Sequence, residues 1–389
     1  FFIPPVDRYG IGLGLTMAVK ESAFLLWVVY GLLGEKRLAG QATVLKSLGY
    51  GRWQCLTWLV LPTLLPALSV VLLATAAWSL SAVDVALVIG PGNPPTLAVL
   101  AWQWLSQGDE RQQAKGALAS LILLLALAMM ALAAWGVWRL WRRRIPPVEG
   151  IRRPQPRALA GKSFALLLPL CGVACALLLA AAAQNSQPVH DSVGNSLWLG
   201  LCSAAIGAVI CLLWLPLGPS RFGEWIWLPL ILPALPLVDG QYQLALYTWL
   251  DGERLTVLWG HLLWVVPWML FILRPAWRAR DPRAELVART LGWQRGRIFW
   301  LVTLPALTRP LLTALAVGFS VSIAQYLPTL WLGGGRVATL TSEAVALSSG
   351  GDTSTLAAQA LWQLLLPALF FAATALLAWL IGRYRQGLR

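Results

Sequence analysis

The sequence predicts an all-α membrane protein made of two tandem, parallel helical bundles. Three observations predict it: a charge-poor composition, a regular succession of long apolar runs, and an echo between two stretches 243 positions apart. Of 389 residues, 58% are hydrophobic and 12% charged, with a mean hydropathy of +0.68. A soluble domain carries roughly twice that charged fraction. Too little polar surface remains to coat a globule, so hydrocarbon is the expected solvent and membrane lipid the expected surroundings. The net charge of +14 would suit nucleic acid, but the basic residues stand between apolar runs, as in cytoplasmic loops of membrane proteins. No nucleic-acid partner is expected. Five cysteines lie in or beside apolar segments and form neither a disulfide framework nor a zinc spacing with the two histidines. They read as small packing residues.

Nine runs, at roughly 11–33, 56–82, 116–140, 164–183, 194–217, 225–249, 255–276, 298–327 and 356–382, are candidate spans. Each supplies the about 20 residues that a helix needs to cross about 30 Å of hydrocarbon. Pro229, Pro233 and Pro236 make the sixth the least regular. Lys36, Arg37, Lys46 and Arg52 follow the first span, "RLWRRRIPPVEGIRRPQPRALAGK" follows the third, seven arginines from Arg274 to Arg297 follow the seventh, and "GRYRQGLR" ends the chain. These are the expected cytoplasmic segments, so the C-terminus is expected in the cytoplasm. The alternate connections agree: "AAAQNSQPVHDSVGN" has no Lys or Arg, and 328–355 holds Arg336 alone. Nine crossings then put residue 1 outside.

The echo extends well beyond one motif. "SLGYGRWQCLTWLVLP" at 47–62 matches "TLGWQRGRIFWLVTLP" at 290–305, aligning Gly49 with Gly292 and Pro62 with Pro305. The same spacing pairs Gly90 with Gly333, Gly92 with Gly335, Thr96 with Thr339, Leu97 with Leu340, Gly108-Asp109 with Gly351-Asp352, and Ala114 with Ala357. Shared hydrophobicity does not keep such matches in register. A tandem duplication is therefore expected: a first unit at 1–141, a basic cytoplasmic linker at 142–162, and a second unit with six spans at 163–389. Both Gly-to-Leu-Pro segments fall on the cytoplasmic side, so the repeats are parallel. Residues 1–10 align with 244–253, so about three helices of the first unit are expected ahead of residue 1.

The cytoplasmic segment at 281–305 reads as a docking element. Asp281 caps a helix with Pro282 in its first turn, Glu285 and Arg289 pair four residues apart, and Leu286, Ala288 and Leu291 form an apolar contribution. Gly292 ends the helix in a left-handed conformation, and a second helix starts near Gln294. A single copy would pass for an ordinary basic loop; two in register favour a function.

These residues resemble permease subunits of ABC importers, whose cytoplasmic loop carries Glu-Ala-Ala before a Gly, then Leu-Pro thirteen residues along. Gly49 with Leu61-Pro62 and Gly292 with Leu304-Pro305 carry that spacing. The Glu-Ala-Ala positions fall on Leu286, Val287 and Ala288, and on Thr43, Val44 and Leu45; one alanine survives, and Glu285 stands one position early. The resemblance covers essentially the whole chain and is to the fused branch that includes thiamine, ferric-iron and related small-solute permeases. It implies two type I ABC-permease bundles, the first truncated. It also implies ATPase-coupling loops containing Thr43, Lys46, Gly49, Arg52, Leu61, Pro62, Glu285, Ala288, Arg289, Gly292, Arg295, Arg297, Leu304 and Pro305. The implied partners are two copies of a cytoplasmic ABC ATPase, a periplasmic solute-binding protein and a small solute. The implied place is the bacterial inner membrane.

No catalytic residue, cofactor or metal site is expected. "PRALAGKS" at 156–163 has Pro156 where a phosphate loop needs glycine, and no strand precedes it. Ionisable groups inside spans cost a few kcal/mol and need a partner or a wet face. Lys20 and Glu21 are read equally as ion pairs with neighbouring helices or as part of the translocation path, with Asp84, Ser322, Gln325 and Tyr326 as further path candidates. His261 reads as a hydrogen-bonded packing residue, and Arg309 as a snorkelling one. Two other classes compete with the importer. An ion-coupled secondary transporter with parallel repeats would use an intramembrane carboxylate such as Glu21. A membrane enzyme would need an acidic or histidine cluster, and Asp191, Asp251, Glu253 and Glu343 are scattered.

Overall fold

The computed structural model describes residues 9–33, 36–145, 161–217 and 223–384, and all regular structure among them is helical. Most of the expected 142–162 linker, the side chain of Arg52 and the tail beyond Tyr384 lie outside this description. In chain order the helices are α1 (Ile11–Leu33), α2 (Lys36–Ser47), α3 (Arg52–Cys55), α4 (Leu61–Leu80), α5 (Asp84–Ile89), α6 (Leu97–Leu105), α7 (Glu110–Arg143) and α8 (Gly161–Ala182). Then come α9 (His190–Leu217), α10 (Leu228–Ile231), α11 (Ala234–Tyr247), α12 (Arg254–Ala279), α13 (Pro282–Thr290), α14 (Arg295–Ile298), α15 (Leu304–Ile323), α16 (Leu327–Gly333), α17 (Leu340–Ser348) and α18 (Thr353–Tyr384).

Among the described residues, five helices are long and apolar enough to cross a membrane, or six if the pair Trp53–Pro66 and Val71–Leu80 forms one bent span. That is fewer than the nine runs read from composition. The sixth run shows one reason: 225–249 is not one helix. Gly223–Trp227 winds as a 3₁₀ turn, α10 lasts four residues, and α11 starts at Ala234. Pro233 sits in the gap; it lacks an N–H and disfavours helical geometry at Leu232.

The elements recur at the spacing seen in the sequence. α1 and α12 begin at Ile11 and Arg254, and α2 and α13 end at Ser47 and Thr290. α4 and α15 run Leu61–Leu80 and Leu304–Ile323, while α6 and α17 run Leu97–Leu105 and Leu340–Ser348. Their caps recur too. Thr96 and Thr339 accept from backbone N–H groups of α6 and α17, and Asp109 and Asp352 from those of α7 and α18.

Packing divides the chain into two compact units, Phe1–Ala174 with Leu230–Pro236, and Cys175–Pro229 with Leu237–Arg389. In the first, α4 packs against α1 and α7, and α6 lies along α7. In the second, α9, α12 and α15 enclose a core around Cys211, Val265, Met269, Leu270 and Ala314. Without a hydrophobic drive between helices in lipid, close approach over small residues holds such bundles. A Cβ at Gly207 or Gly318 would stand 2.8 or 2.7 Å from Met269 Sδ, so both glycines make room for that side chain.

Candidate functional site

Both candidate loops end their short helix in the same way. Gly49 and Gly292 have φ of 88° and 76°, the left-handed region where a Cβ is unfavourable. Around them the N–H of Tyr50 donates to Leu45 O and that of Gly49 to Lys46 O; Trp293 donates to Ala288 O and Gly292 to Arg289 O. This is a Schellman closure, which satisfies the last helical carbonyls and sets the C3 and C″ side chains against each other. Leu45 and Tyr50 share a buried cluster with Cys55. Ala288, the surviving alanine of the loop motif, is buried.

Next, Leu56–Val60 and Phe299–Thr303 each form a π-helical turn, closed by Leu61 N–H to Leu56 O and Leu304 N–H to Phe299 O. The cause is the proline that follows. Pro62 and Pro305 have no N–H for the carbonyl four residues back and their rings press on it, so the backbone widens. Gly and Leu-Pro therefore each encode a backbone feature, and the pair sets the geometry of the loop.

The side chains that fix the two loops differ. In the first, Tyr50 meets Trp58 edge to face at 5.7 Å within an apolar cluster. In the second, Glu285 Oε1 lies 2.6 Å from Arg280 Nη1 and accepts from Thr303 Oγ1 at 2.9 Å. Arg280 stacks over Trp277, 3.5 Å from the ring centre. One carboxylate thus ties α13 to the end of α12 and to the π-turn before α15. The expected Glu285–Arg289 pair is replaced by this arrangement, because Arg280 and Thr303 approach from the flanking helices while Arg289 is exposed. Asp281 caps α13 as expected, accepting from Arg283 N–H at 2.9 Å.

A second polar cluster is buried in the second compact unit, between α12, α15 and α16. His261 Nδ1 is 2.8 Å from Ser322 Oγ, and Nε2 is 2.9 Å from Thr329 Oγ1. The Thr329 hydroxyl donates to Gln325 O, so its oxygen accepts from Nε2–H. Gln325 Nε2 donates to His261 O, while Gln325 Oε1 is buried without a hydrogen-bond partner among the described residues. The node clasps α12 to the break between α15 and α16. His261 is a hydrogen-bonded packing residue, as its sequence context suggested.

Residues 207–385 match the family described as "Binding-protein-dependent transport system inner membrane component". Over 389 residues, all of this chain and 76% of the relative, the sequence is 60% identical to the "Inner membrane ABC transporter permease protein YnjC" of Escherichia coli (strain K12). The chain belongs to the family of binding-protein-dependent ABC transporter permeases. It is a multi-pass inner-membrane transport subunit, and ATPase subunits are its partners.

In this permease the loop residues expected from sequence lie together within each loop. Thr43, Lys46, Arg289, Arg295 and Arg297 are exposed, and Arg297 lies over the Trp293 ring at 4.7 Å. Leu61, Pro62, Leu304 and Pro305 follow the π-turns at the starts of α4 and α15. Three of the path candidates belong to each compact unit. Lys20 lies 5.8 Å over the Trp78 ring, Glu21 is half-buried on α1, and Asp84 starts α5. Ser322 and Gln325 belong to the His261 node, and Tyr326 is buried beside it in sequence. Sequence reasoning missed Thr329, Thr303, which donates to Glu285, and the pair Gln363–Thr341, whose side chains bond at 3.0 Å. Hydroxyl residues in apolar helices carry no periodic signal that announces a partner some 20–70 positions away.

Proposed function

We propose that this permease subunit imports a small solute with ATP hydrolysed by separate subunits, one docked under each Gly-to-Leu-Pro loop. On this reading the chain carries two tandem, parallel type I bundles, with nine spans, residues 1–141 and 163–389 as the units, and the loops and C-terminus in the cytoplasm. The observation that carries it is the recurrence, at one spacing, of a left-handed glycine, a Schellman closure and a π-turn. Two loops of the same backbone geometry suit two copies of one ATPase.

The loop surfaces support the same role. Val44 on α2 with Leu48 just beyond it, and Leu286 and Val287 on α13 with Leu291 just beyond it, are exposed by 41–67%. Large apolar side chains on a short charged helix outside the hydrocarbon indicate a partner surface, and Arg289, Arg295 and Arg297 give it a basic rim. Residues Lys20, Glu21, Asp84, Ser322, Gln325 and Tyr326 remain candidates for the path or its gate, the last three at the helix break. A periplasmic solute-binding protein delivers the cargo, and the permease itself holds no catalytic group.

The test is purification of the full chain from its native membrane, identification of the ATPase and solute-binding proteins that accompany it, and uptake assays in proteoliposomes. Glu substitutions at Arg295 and Arg297 are expected to abolish ATP-driven uptake and weaken ATPase capture while insertion persists. Unchanged capture and uptake would refute the docking role, and gradient-driven uptake without any ATPase would refute the importer reading.

A further inference from the structure

The helices α15 and α18 each carry a single charged side chain, Arg309 and Arg383, and the fold brings the two to one place. A Cβ at Gly382 would collide with Arg309 Nη2 and stand 3.4 Å from its Cζ. The Arg309 guanidinium therefore lies across the backbone of α18 where that glycine leaves room. Arg383 is the next residue, and its guanidinium lies 5.4 Å over the Trp379 ring. At about 100° per residue, Trp379 points between the directions of Gly382 and Arg383, one turn further into α18. Two exposed cations and an indole thus share one patch. Neither arginine has a salt-bridge partner among the described residues. On the adjoining loop Glu285 is held by Arg280 and Thr303, and Asp281 caps α13.

The patch stands at a defined depth. Seven residues of α12 lead from Arg254 to His261, whose ring bonds Ser322. Thirteen residues of α15 lead from Ser322 to Arg309. At about 1.5 Å per residue the two stretches together span about 30 Å, the thickness of the hydrocarbon core. Arg309 is therefore level with the headgroups. Ile298, at the end of α14, lies eleven residues or about 16 Å beyond it toward the loop. Leu369, Leu376 and Trp379, 56–58% exposed, share one side of α18 with Arg383. The surface that meets the guanidiniums thus continues the one that meets lipid tails, and what adjoins the tails at this depth is the headgroup phosphate. A zwitterionic headgroup returns a cation to the patch, whereas an anionic one does not. At the 243-residue spacing the first unit has Pro66 for Arg309 and Arg139 for Gly382. There α7 ends in Arg139, Arg142 and Arg143, with Arg139 over Trp135 of the same helix, while α4 contributes no charge. Those arginines form a basic helix end rather than a site built by two helices.

We propose that Arg309, Arg383 and Trp379 bind the headgroup of one anionic phospholipid, whose phosphate is taken by the two guanidiniums and clasps α15 to α18. The site goes beyond the importer reading and does not depend on it. The full chain, purified in a mild detergent with the subunits that accompany it, is titrated with phosphatidylglycerol or phosphatidylcholine. Native mass spectrometry counts the lipids retained, and thermal unfolding reads the accompanying rise in Tm.

The wild type is expected to retain phosphatidylglycerol about tenfold more tightly than phosphatidylcholine. Arg309→Gln with Arg383→Gln should lose that preference, and Arg309→Lys with Arg383→Lys should keep most of it. Gly382→Ala keeps both charges but pushes Arg309 off α18, so it should fall between. Arg142→Gln with Arg143→Gln should leave the preference intact. Unchanged retention in the Arg309→Gln, Arg383→Gln variant overturns the proposal. So does an equal loss in the Arg142→Gln, Arg143→Gln variant, which would mark general attraction to a basic surface. An equal rise in Tm from inorganic phosphate alone, marking a free-anion site, overturns it too. Loss of the accompanying subunits with lipid retention unchanged would mark a protein contact and do the same.

Discussion

Replacing Glu285 by Ala tests the carboxylate latch of the second loop. Its Oε1 faces Arg280 at 2.6 Å and Thr303 Oγ1 at 2.9 Å, and the Glu285 and Arg280 side chains are 17% and 22% exposed. A hydrogen bond to a charged group contributes about 1.5–3 kcal/mol, and partial exposure screens the pair. About 2 kcal/mol is therefore expected for the two contacts together. That corresponds to an increase of about 30-fold in the opening equilibrium of α13. Amide hydrogen exchange in nanodiscs reads this directly: residues 284–290 should exchange about 30-fold faster in Glu285→Ala. Glu285→Gln retains an oxygen for Thr303 and loses the ion pair, so it should fall between. The first loop carries Ala42 at the matching position and is held by Tyr50 and Trp58, so exchange in α2 should not change. Unaltered exchange at 284–290, or equal acceleration in α2, would refute the latch.

Three further outcomes follow from the geometry. Gly292→Val should destabilise the loop by about 1–2 kcal/mol through its left-handed φ alone, since a Cβ there meets nothing within 4 Å; Gly292→Asn should cost clearly less, and thermal unfolding of the purified permease compares them. His261→Leu removes the partner of Ser322 and Thr329 inside the bundle and should cost about 2–5 kcal/mol, read as a lowered Tm, with loss of fit making His261→Asn intermediate. Asp352 is exposed, and hydrogen bonds from the Thr355 hydroxyl first, then from Ser354, hold its carboxyl below the usual Asp range. A depressed folded-state value means that its stabilisation is complete above the ordinary value of about 3.9 and is lost as pH falls through the lower one. Tm measured from pH 6 downward should show that loss in the wild type and a smaller one in Asp352→Asn.

How much of this was legible in the sequence depends on what each signal encodes. Gly49, Gly292, Pro62 and Pro305 act on their own backbone, so their effects could be read locally and recur as left-handed closures and π-turns. Caps such as Asp281 and Thr339 act within three residues and were equally accessible. Pairwise contacts were not: Glu285 was assigned to Arg289 by helical spacing, yet Arg280 and Thr303 reach it across helix boundaries that no periodicity reveals. At 225–249 the prolines announced an irregular run, and the backbone breaks at Pro233 between α10 and α11, whereas the lengths of the pieces were not legible from composition.

The same distinction explains why the matched elements share backbone but not chemistry. A glycine at positive φ or a proline after a π-turn is constrained by geometry that both loops require. A side chain is constrained by its partner, and partners can change together. Ala42 and Val60 replace Glu285 and Thr303, Ala18 and Ala86 replace His261 and Thr329, and Ile11 and Asn93 replace Arg254 and Arg336. The exchange runs both ways, since Lys20, Glu21 and Asp84 stand where the second stretch has Leu263, Trp264 and Leu327. The repeat thus keeps its symmetry in the backbone of the loops, where geometry leaves no choice, and loses it in the side chains elsewhere, where pairs can change together.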